Sequence, residues 1–294
     1  MTVMQRPLKA KVRDLVSLTK PRLTSFVLLS TLAGLYLGAD RHLHLVPALL
    51  ALAGTGLLAG GAAAINMLLE RDSDKLMRRT EKRPLPGGRL SVREVLAFGI
   101  AITAAGLLVL ALGVNLLTSF IGALTFSSYI FVYTPLKRLT PLNTLVGAVP
   151  GALPAVMGWT AARNALGVEA WVLFGLLFFW QLPHFLAIAW ICREDYARAG
   201  IAMLPVFDRD GRLTARQVLN GSLLLLVVSL LPSFVGLAGP VYFAAALLSG
   251  LGLIALAISF NLARDGSEAR RVFLGSLAYL PTVLAVLVLD RPSF

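Results

Sequence analysis

The sequence predicts an all-α membrane protein built as a bundle of nine transmembrane helices. Of its 294 residues, 57% are hydrophobic and only 14% are charged, whereas soluble domains carry about 25% charged residues. Apolar segments recur along the chain, and at roughly 17–25 residues each is long enough to cross the hydrocarbon core of a bilayer. We expect residues 1–294 to form a single integral-membrane domain.

Nine segments meet this length requirement. They are residues 23–39, 46–66, 95–114, 116–134, 142–160, 170–191, 218–237, 240–260 and 272–289. Tight turns at Asn115 and at Ala238-Gly239 separate neighbouring segments on one side, while the connections on the other side are longer and more polar. This asymmetry predicts that the chemistry of the protein faces the side with the long loops.

The distribution of basic residues indicates the orientation of the bundle. With nine spans, all but three of the 27 Lys and Arg residues fall on the side of the N-terminus, the exceptions being Arg41, Arg163 and Arg291. This positive-inside bias predicts a cytoplasmic N-terminus and a C-terminus outside. Because topology accounts for the net charge of +12, we expect no nucleic acid as a partner.

The N-terminal segment and the cysteine content limit the compartment and the chemistry. No cleavable signal peptide is visible, and the first 22 residues are too short and too poor in serine for a transit peptide. A bacterial inner membrane is therefore favoured, with the lipid bilayer as the surroundings. The single cysteine, Cys192, cannot form an intramolecular disulfide or a thiolate metal cluster.

The two longest loops, residues 71–94 and 192–217, lie on the predicted inner side and share a weak pattern. Each carries an aspartate, then a Leu-Pro pair, then a Gly-Arg-Leu triplet, with Asp74 in the first loop and Asp195 in the second. The pattern suggests a duplicated helical unit with a carboxylate at the same corner of each half. Chance similarity remains the alternative.

A dense polar cluster begins at the inner end of the second span. Asn66, Glu70 and Asp74 follow one another at intervals of four residues, so a helix would place all three on one face. Oxygen ligands of this kind suit Mg²⁺, which usually keeps several waters and shares substrate phosphates. Basic residues follow at once, among them Arg78 and Arg83, and these can neutralise phosphate. The cluster predicts a membrane enzyme that binds a diphosphate through a metal ion.

Polar residues also interrupt the sixth span. Gln181 and His184 lie within it, and Asp195 follows His184 by 11 residues, close to three helical turns. On a continuous helix, both side chains would share one face, with His184 roughly 16 Å deeper in the membrane. Asp195 is the candidate carboxylate of a second phosphate or metal site. His184 either contacts a substrate or makes a hydrogen bond within the bundle, and both interpretations stay open.

The stretch from Asn66 to Leu85 has the form N-x-x-x-E-x-x-x-D-x-x-M-x-R-T-x-x-R-P-L. It resembles the first signature of the UbiA superfamily of intramembrane prenyltransferases, in the form of the haem branch of that superfamily. Other stretches agree: Thr19 to Arg22, Tyr133-Thr134 with Lys137-Arg138, the segment ending in Gly158-Trp159, Trp180 to Phe185, Asp195-Tyr196 and Met203 to Pro205. The second acidic motif is thin, because only Glu194 and Asp195 are present where the wider superfamily has a full D-x-x-x-D.

The resemblance implies transfer of a farnesyl group from farnesyl diphosphate to a vinyl group of haem B, giving haem O. It implies Mg²⁺ as the cofactor, and a haem A synthase or an oxidase-assembly protein as a partner. It also implies the following sites: Asn66, Glu70, Asp74 and Asp195 for metal and catalysis, Arg22, Arg78, Arg83, Lys137 and Arg138 for diphosphate, and His184, Gln181 and Tyr196 for haem.

Two alternatives remain at this stage. The same diphosphate site would serve an enzyme that prenylates another aromatic or tetrapyrrole acceptor, since only the acceptor pocket would differ. A transporter or a haem-binding membrane scaffold is the non-enzymatic alternative. A transporter should carry ionisable groups near the midplane, whereas the acids of this chain crowd one interface.

Overall fold

The computed structural model describes residues 7–39 and 44–292, and within these two ranges the chain is helical, without strands. The helices are α1 (Leu8–Leu18), α2 (Pro21–Gly38), α3 (Leu45–Leu69), α4 (Arg71–Leu76), α5 (Val92–Gly113), α6 (Leu116–Ser127), α7 (Thr134–Leu136), α8 (Asn143–Arg163), α9 (Val168–Ile191), α10 (Arg193–Arg198), α11 (Leu204–Phe207), α12 (Arg212–Phe234), α13 (Pro240–Ala263) and α14 (Gly266–Leu289). A π-helical segment, Ser128–Tyr133, joins α6 to α7.

Eight helical segments of the described chain are long and apolar enough to cross a membrane. They are α3, α5, the continuous stretch Leu116–Leu136, α8, α9, α12, α13 and α14. The first predicted span corresponds to α2, whose 18 residues begin with a proline and an arginine and which is not among the eight. The prediction of an all-α membrane protein is confirmed. The count of nine spans and the sides of the two termini stay predictions, and Arg41 lies outside the described residues.

Several helices begin earlier than the apolar segments predicted. Helix α14 starts at Gly266, six residues before the predicted span, and its first turn is capped by Asp265, whose side chain accepts from the Glu268 amide at 2.8 Å. Helix α5 likewise starts with a capping box between Ser91 and Glu94. Hydropathy locates the hydrocarbon crossing, whereas capping side chains fix where helical hydrogen bonding starts.

The centre of the bundle is formed by α3, α8 and α9, which are its most buried long helices. Helix α2 packs against α8, α3 against α5, and α9 against α8, α12 and α14. Helices α5 and α13 and the stretch from Leu116 to Leu136 are the least buried of these segments, as expected for surfaces that face lipid. Contacts between α14 and α2 bring the last span back to the first.

Glycines allow α2 and α8 to approach closely. A methyl group on Gly158 would clash with the backbone carbonyl of Thr31, and one on Gly34 would clash with the carbonyl of Ala155. In a membrane, such small-residue contacts are a main source of helix association. We expect Gly158→Ala to lower the free energy of unfolding by about 2 kcal/mol, because a backbone atom cannot move aside as a side chain can. Unfolding in a detergent titration measures this change.

The matched control is Gly252→Ala in α13. Gly252 is also within a helix, but a methyl group there would have nothing within 4 Å. This variant should be neutral or more stable by about 0.5 kcal/mol, since alanine favours helix over glycine. Equal losses in the two variants would contradict the close-approach explanation.

The inner end of the bundle, defined here by the C-termini of α3 and α9, repeats one local geometry. Helix α3 ends at Leu69, Glu70 (φ −94°, ψ 5°) forms a joint, and the six-residue α4 follows. Helix α9 ends at Ile191, Cys192 (φ −102°, ψ 16°) forms a joint, and the six-residue α10 follows. With the joints aligned, Cys192 corresponds to Glu70. Tyr196, rather than Asp195, then occupies the position of Asp74.

Candidate active site

Asn66, Glu70 and Asp74 lie together on one side of the α3–α4 corner. The joint at Glu70 does not interrupt the hydrogen-bond ladder, because the Glu70 amide donates to Asn66 O at 2.9 Å and the Asp74 amide to Glu70 O at 2.8 Å. The four-residue spacing therefore keeps its helical meaning. Asn66 and Asp74 are fully buried, and the Glu70 side chain is 14% exposed.

Each of these three oxygen-bearing side chains faces a cation from a different part of the chain. Lys20 Nζ donates to Asn66 Oδ1 at 3.3 Å. Lys137 Nζ donates to Glu70 Oε1 at 2.6 Å, and Arg83 Nη1 donates to Asp74 Oδ2 at 2.7 Å. The three cations come from the α1–α2 turn, the loop after α4 and the residue that follows α7.

These charges influence one another strongly. Burial, together with the neighbouring positive charges of Arg83 and Lys137, lowers the pKa of Lys20 to about 8. Burial alone would raise the pKa of the Glu70 carboxyl, but Lys137 and Lys20 outweigh that effect and the pKa is lowered. The site therefore favours the ionised form of the Glu70 carboxyl and gathers positive charge around it.

A distorted helix delivers Lys137 to this site. Pro135 has no amide hydrogen and its ring excludes the carbonyl four residues earlier, and the turn before it widens into the π-helical segment Ser128–Tyr133. Thr134 then bonds in two directions: its hydroxyl donates to Tyr129 O at 2.8 Å and accepts from Asn66 Nδ2 at 3.1 Å. One turn later, Lys137 Nζ lies 4.6 Å from the Tyr133 ring centroid. π-Helical segments of this kind are frequent at functional sites.

Of the five predicted diphosphate-binding residues, three lie in or beside the cluster and two are exposed. Arg83 and Lys137 are in the cluster, and Arg138 lies at its edge, where its Nη2 donates to Ser73 Oγ at 2.6 Å. Arg22 and Arg78 are exposed, and within the described ranges neither guanidinium has a hydrogen bond or an ion pair. Lys20 takes the inward position beside Arg22. Its backbone is left-handed, at φ 48°, which turns the chain between α1 and α2.

Thr134 and Ser73 also contribute polar contacts that the spacing argument did not identify as site residues. The signal for Lys20 and Thr134 was present in the motifs Thr19-Lys20-Pro21-Arg22 and Tyr133-Thr134. The motifs alone did not show which residue of each would point inward. The structure decides this through the turn at Lys20 and the two bonds of the Thr134 hydroxyl.

A second corner, formed by the end of α9, the joint at Cys192 and α10, lies against the α3–α4 corner. Tyr196 and Met77 belong to one apolar cluster, and the Arg79 guanidinium lies 5.0 Å from the centroid of the Tyr196 ring. Burial raises the pKa of Tyr196, and Lys137 is close enough to oppose this rise. Asp195 pairs with Arg198 of the same short helix. The corners thus meet through Tyr196, with Asp195 19% exposed beside it.

The predicted shared face of His184 and Asp195 extends from α9 across a joint into α10, and it stays a prediction. Helix α9 ends at Ile191, and Cys192 departs from helical backbone angles before α10 begins. As at Glu70, helical hydrogen bonds cross this joint, because the Cys192 amide donates to Ile188 O at 2.9 Å and the Tyr196 amide donates to Cys192 O at 3.1 Å.

His184 is buried in an aromatic surrounding next to α14. Its Nδ1 lies 2.8 Å from Ser276 Oγ, and its ring stacks on Trp180 at 4.8 Å between centroids. Phe273 and Phe185 lie 5.1 and 5.5 Å from the His184 ring centroid. Nε2 has no hydrogen-bond partner among the described residues, so one ring nitrogen is available to a ligand.

Gln181, one turn before His184, bonds within the bundle. Its Nε2 donates to Ala148 O and to Leu177 O, each at 3.1 Å. Gly151 makes room for this amide, since a methyl group at that position would clash with Gln181 Oε1. The geometry indicates that Gln181 joins α9 to α8.

The donor set at the α3–α4 corner fits a hard cation such as Mg²⁺. Asp74 Oδ1 is buried and has no hydrogen-bond partner among the described residues, and a buried carboxylate oxygen without a partner is costly unless a cation or donor binds it. Within the same ranges, no group of three or more His, Cys, Asp or Glu side chains is arranged to hold a metal. Two carboxylates and an amide would therefore leave room for water and phosphate oxygens, as Mg²⁺ prefers.

Comparison with known proteins identifies the family of the chain. A family model described as the UbiA prenyltransferase family matches residues 27–280. The chain is 47% identical over 291 residues to a protein of Solibacter usitatus (strain Ellin6076) named protoheme IX farnesyltransferase, and the match covers 96% of this chain and all of that protein.

Solved structures share the fold. A digeranylgeranylglyceryl phosphate synthase superposes with a TM-score of 0.81 at 15% identity, covering 96% of this chain and 99% of that one. A UbiA homologue from Archaeoglobus fulgidus, solved with GPP and Mg²⁺, superposes with a TM-score of 0.65 at 19% identity, covering 93% and 99%. The α3–α4 corner with Asn66, Glu70 and Asp74, called the polar corner below, agrees with a membrane bundle of this kind. The chain is a multi-pass membrane protein that belongs to the UbiA prenyltransferase family.

Proposed function

We propose that this protein transfers the farnesyl group of farnesyl diphosphate to a vinyl group of haem B and so produces haem O. The observation that carries the proposal is the row of Asn66, Glu70 and Asp74 opposite Lys20, Lys137 and Arg83. The relative from Solibacter usitatus, named protoheme IX farnesyltransferase and alike over nearly the whole chain, supports the acceptor. Prenyl transfer also fits the family better than transport or a scaffold role.

The reaction breaks the C–O bond between the farnesyl C1 and the diphosphate, which leaves with the electron pair. The allylic cation then accepts the π electrons of the vinyl group, and a C–C bond forms. Water adds to the carbocation beside the porphyrin ring and loses a proton, which gives the hydroxyethylfarnesyl group. The apolar interior of the bundle keeps water from the allylic cation before the C–C bond has formed.

The polar corner has two tasks in this reaction. Lys137, Arg83 and Lys20 stabilise the negative charge that grows on the departing diphosphate, usually the largest kind of contribution in such sites. Asn66, Glu70 and Asp74 would hold Mg²⁺, with Asp195 as a further ligand from the second corner. Held there, Mg²⁺ would supply positive charge that offsets the negative charge of the leaving diphosphate. The UbiA homologue of Archaeoglobus fulgidus solved with GPP and Mg²⁺ supports this assignment.

The aromatic surrounding of His184 is the proposed haem contact. With Nδ1 directed to Ser276 and the ring held against Trp180, Nε2 is the nitrogen that can bind haem iron or orient the ring, and imidazole is a common ligand of haem iron. Tyr196 borders the polar corner and is the proposed second contact.

We further propose that the protein resides in the bacterial inner membrane with the polar corner facing the cytoplasm, and that a haem A synthase or oxidase-assembly protein receives the product.

In the direct test, the purified protein in nanodiscs is incubated with haem B, farnesyl diphosphate and Mg²⁺. Mass spectrometry should detect the hydroxyethylfarnesyl derivative of haem, and a chelator should abolish it until Mg²⁺ is restored. A prenylated product with quinone precursors or chlorins but none with haem B would overturn the acceptor and leave the donor site in place. Product formation unaffected by the chelator would overturn the metal.

If His184 contacts haem, the variant His184→Ala should lose activity without losing its affinity for farnesyl diphosphate. Haem O formation should fall by about 10²-fold, while binding of farnesyl diphosphate stays unchanged, because the substitution removes an acceptor contact and leaves the α3–α4 corner intact. Turnover and equilibrium binding of labelled farnesyl diphosphate measure the two effects. His44→Ala, at the opposite end of α3 from Glu70, is the control and should change neither. Parallel loss of both properties in His184→Ala would indicate a general packing role.

A further inference from the structure

Helix α1 carries three distinct strips along its length. At about 100° per residue, Lys11, Asp14 and Leu18 share one strip, Leu8, Val12 and Val16 the next, and Lys9 and Arg13 the third. The first strip is turned to the protein, and the other two are exposed. Nothing in the proposed function uses these exposed strips.

The inward strip fixes α1 to the inner end of the bundle. Leu18 is fully buried in a cluster with Met67 of α3 and Val95 of α5. Arg89 Nε donates to Asp14 at 3.1 Å, and Lys11 pairs with Glu94 in the first turn of α5. Since these partners are all at the inner ends of α3 and α5 or in the loop between them, α1 lies at the level where the membrane helices emerge.

The outward side is divided between apolar and basic residues. Leu8, Val12 and Val16 are 76%, 50% and 52% exposed, and they are four residues apart. Lys9 and Arg13, also four residues apart, lie next to them and are exposed. Within the described chain, neither basic side chain has an ion pair or a hydrogen bond. An apolar strip beside a basic strip is the arrangement of helices that lie in the membrane interface.

We propose that α1 binds anionic phospholipid headgroups of the leaflet at the inner end of the bundle. Leu8, Val12 and Val16 enter the acyl boundary, and Lys9 and Arg13 contact the phosphates. The charge of the basic strip is complementary to anionic lipid, and the level of α1 is set by its contacts with α3 and α5. Two basic residues near such a surface favour the bound state by roughly 30-fold over a neutral surface.

This placement connects the lipid surface with the polar corner. Helix α1 ends at Leu18, and only Thr19 separates it from Lys20, whose Nζ bonds Asn66. A helix held at the interface therefore fixes the chain segment from which Lys20 reaches the site.

Hydrogen exchange tests the proposal on the full-length protein, one copy per nanodisc. One set of nanodiscs contains phosphatidylcholine alone, and the other contains equal parts of phosphatidylcholine and phosphatidylglycerol. Amides of residues 8–18 should exchange at least about fivefold more slowly in the anionic nanodiscs. The double variant Lys9→Gln/Arg13→Gln should lose this difference and exchange in both lipids as the parent does in phosphatidylcholine.

The control double variant Arg209→Gln/Arg270→Gln removes the same charge from exposed residues elsewhere and should keep the difference. Equal exchange of residues 8–18 in the two lipids, or loss of the difference in the control, would overturn the proposal. Slow exchange in both lipids that appears only with two copies per disc would assign the surface to a second copy and also overturn it. Exchange in α12 reports whether each variant is folded.

Discussion

Asp74→Asn should reduce haem O formation by about 10²–10³-fold while the protein still inserts and folds. Asp74 is fully buried, one carboxylate oxygen accepts from Arg83, and the other has no partner among the described residues. The amide keeps the shape and one acceptor but removes the negative charge that a metal ion needs. Turnover with saturating haem B and farnesyl diphosphate measures the loss, and circular dichroism with a melting curve shows whether the bundle persists.

Asp72→Asn is the matched control for Asp74→Asn. It makes the same chemical change two residues away in α4, but the Asp72 side chain is 69% exposed and, among the residues that the structure describes, pairs with its neighbours Arg71 and Lys75 alone. Its activity should stay within about twofold of the parent, since exposed pairs contribute little. If Asp74→Asn retained a tenth or more of the parent activity, the metal site would have to be placed elsewhere.

Lys137→Gln should have the next largest effect, a loss of about 10²-fold in turnover. Lys137 Nζ lies 2.6 Å from Glu70 Oε1, and its side chain is only 17% exposed. Its removal takes away a cation aimed at the leaving group and leaves the Glu70 carboxylate without its partner. The KM for farnesyl diphosphate should rise and the KM for haem B should stay the same. Steady-state kinetics with each substrate varied in turn separates the two.

Lys75→Gln controls for the loss of one positive charge at the inner end. Lys75 is in α4, and its side chain is 56% exposed, so activity should change by less than about twofold. The combination Lys137→Gln/Glu70→Gln adds a second check, because coupled partners do not have additive effects. Strictly additive losses would indicate that the two residues act separately.

Much of this architecture follows from the sequence, because the signals involved are local and strong. Long apolar runs place the membrane helices, and the spacing of Asn66, Glu70 and Asp74 places three oxygen ligands on one face. The spacing survives the joint at Glu70, since helical hydrogen bonds cross it. At the second corner the sequence pattern indicated Asp195, whereas alignment of the joints at Glu70 and Cys192 places Tyr196 at the position of Asp74.

The choice between adjacent cations could not be predicted from spacing. Lys20 and Arg22 flank a proline, and the turn between α1 and α2 decides which of them faces Asn66. Lys137 and Arg138 follow the π-helical segment, whose wider turn shifts every later side chain around the axis. In both places a single backbone irregularity selects the inward residue, and such irregularities depend on tertiary contacts.

The left-handed backbone of Lys20 sets two selective pressures against each other. A non-glycine residue in this conformation costs about 1–2 kcal/mol, and a following proline restricts the residue before it further. Selection for thermal stability alone should therefore favour glycine or asparagine at position 20. Selection for prenyl transfer should retain lysine, because its amine bonds Asn66 from this turn. Libraries of this position, sorted once by heat resistance and once by product, should diverge.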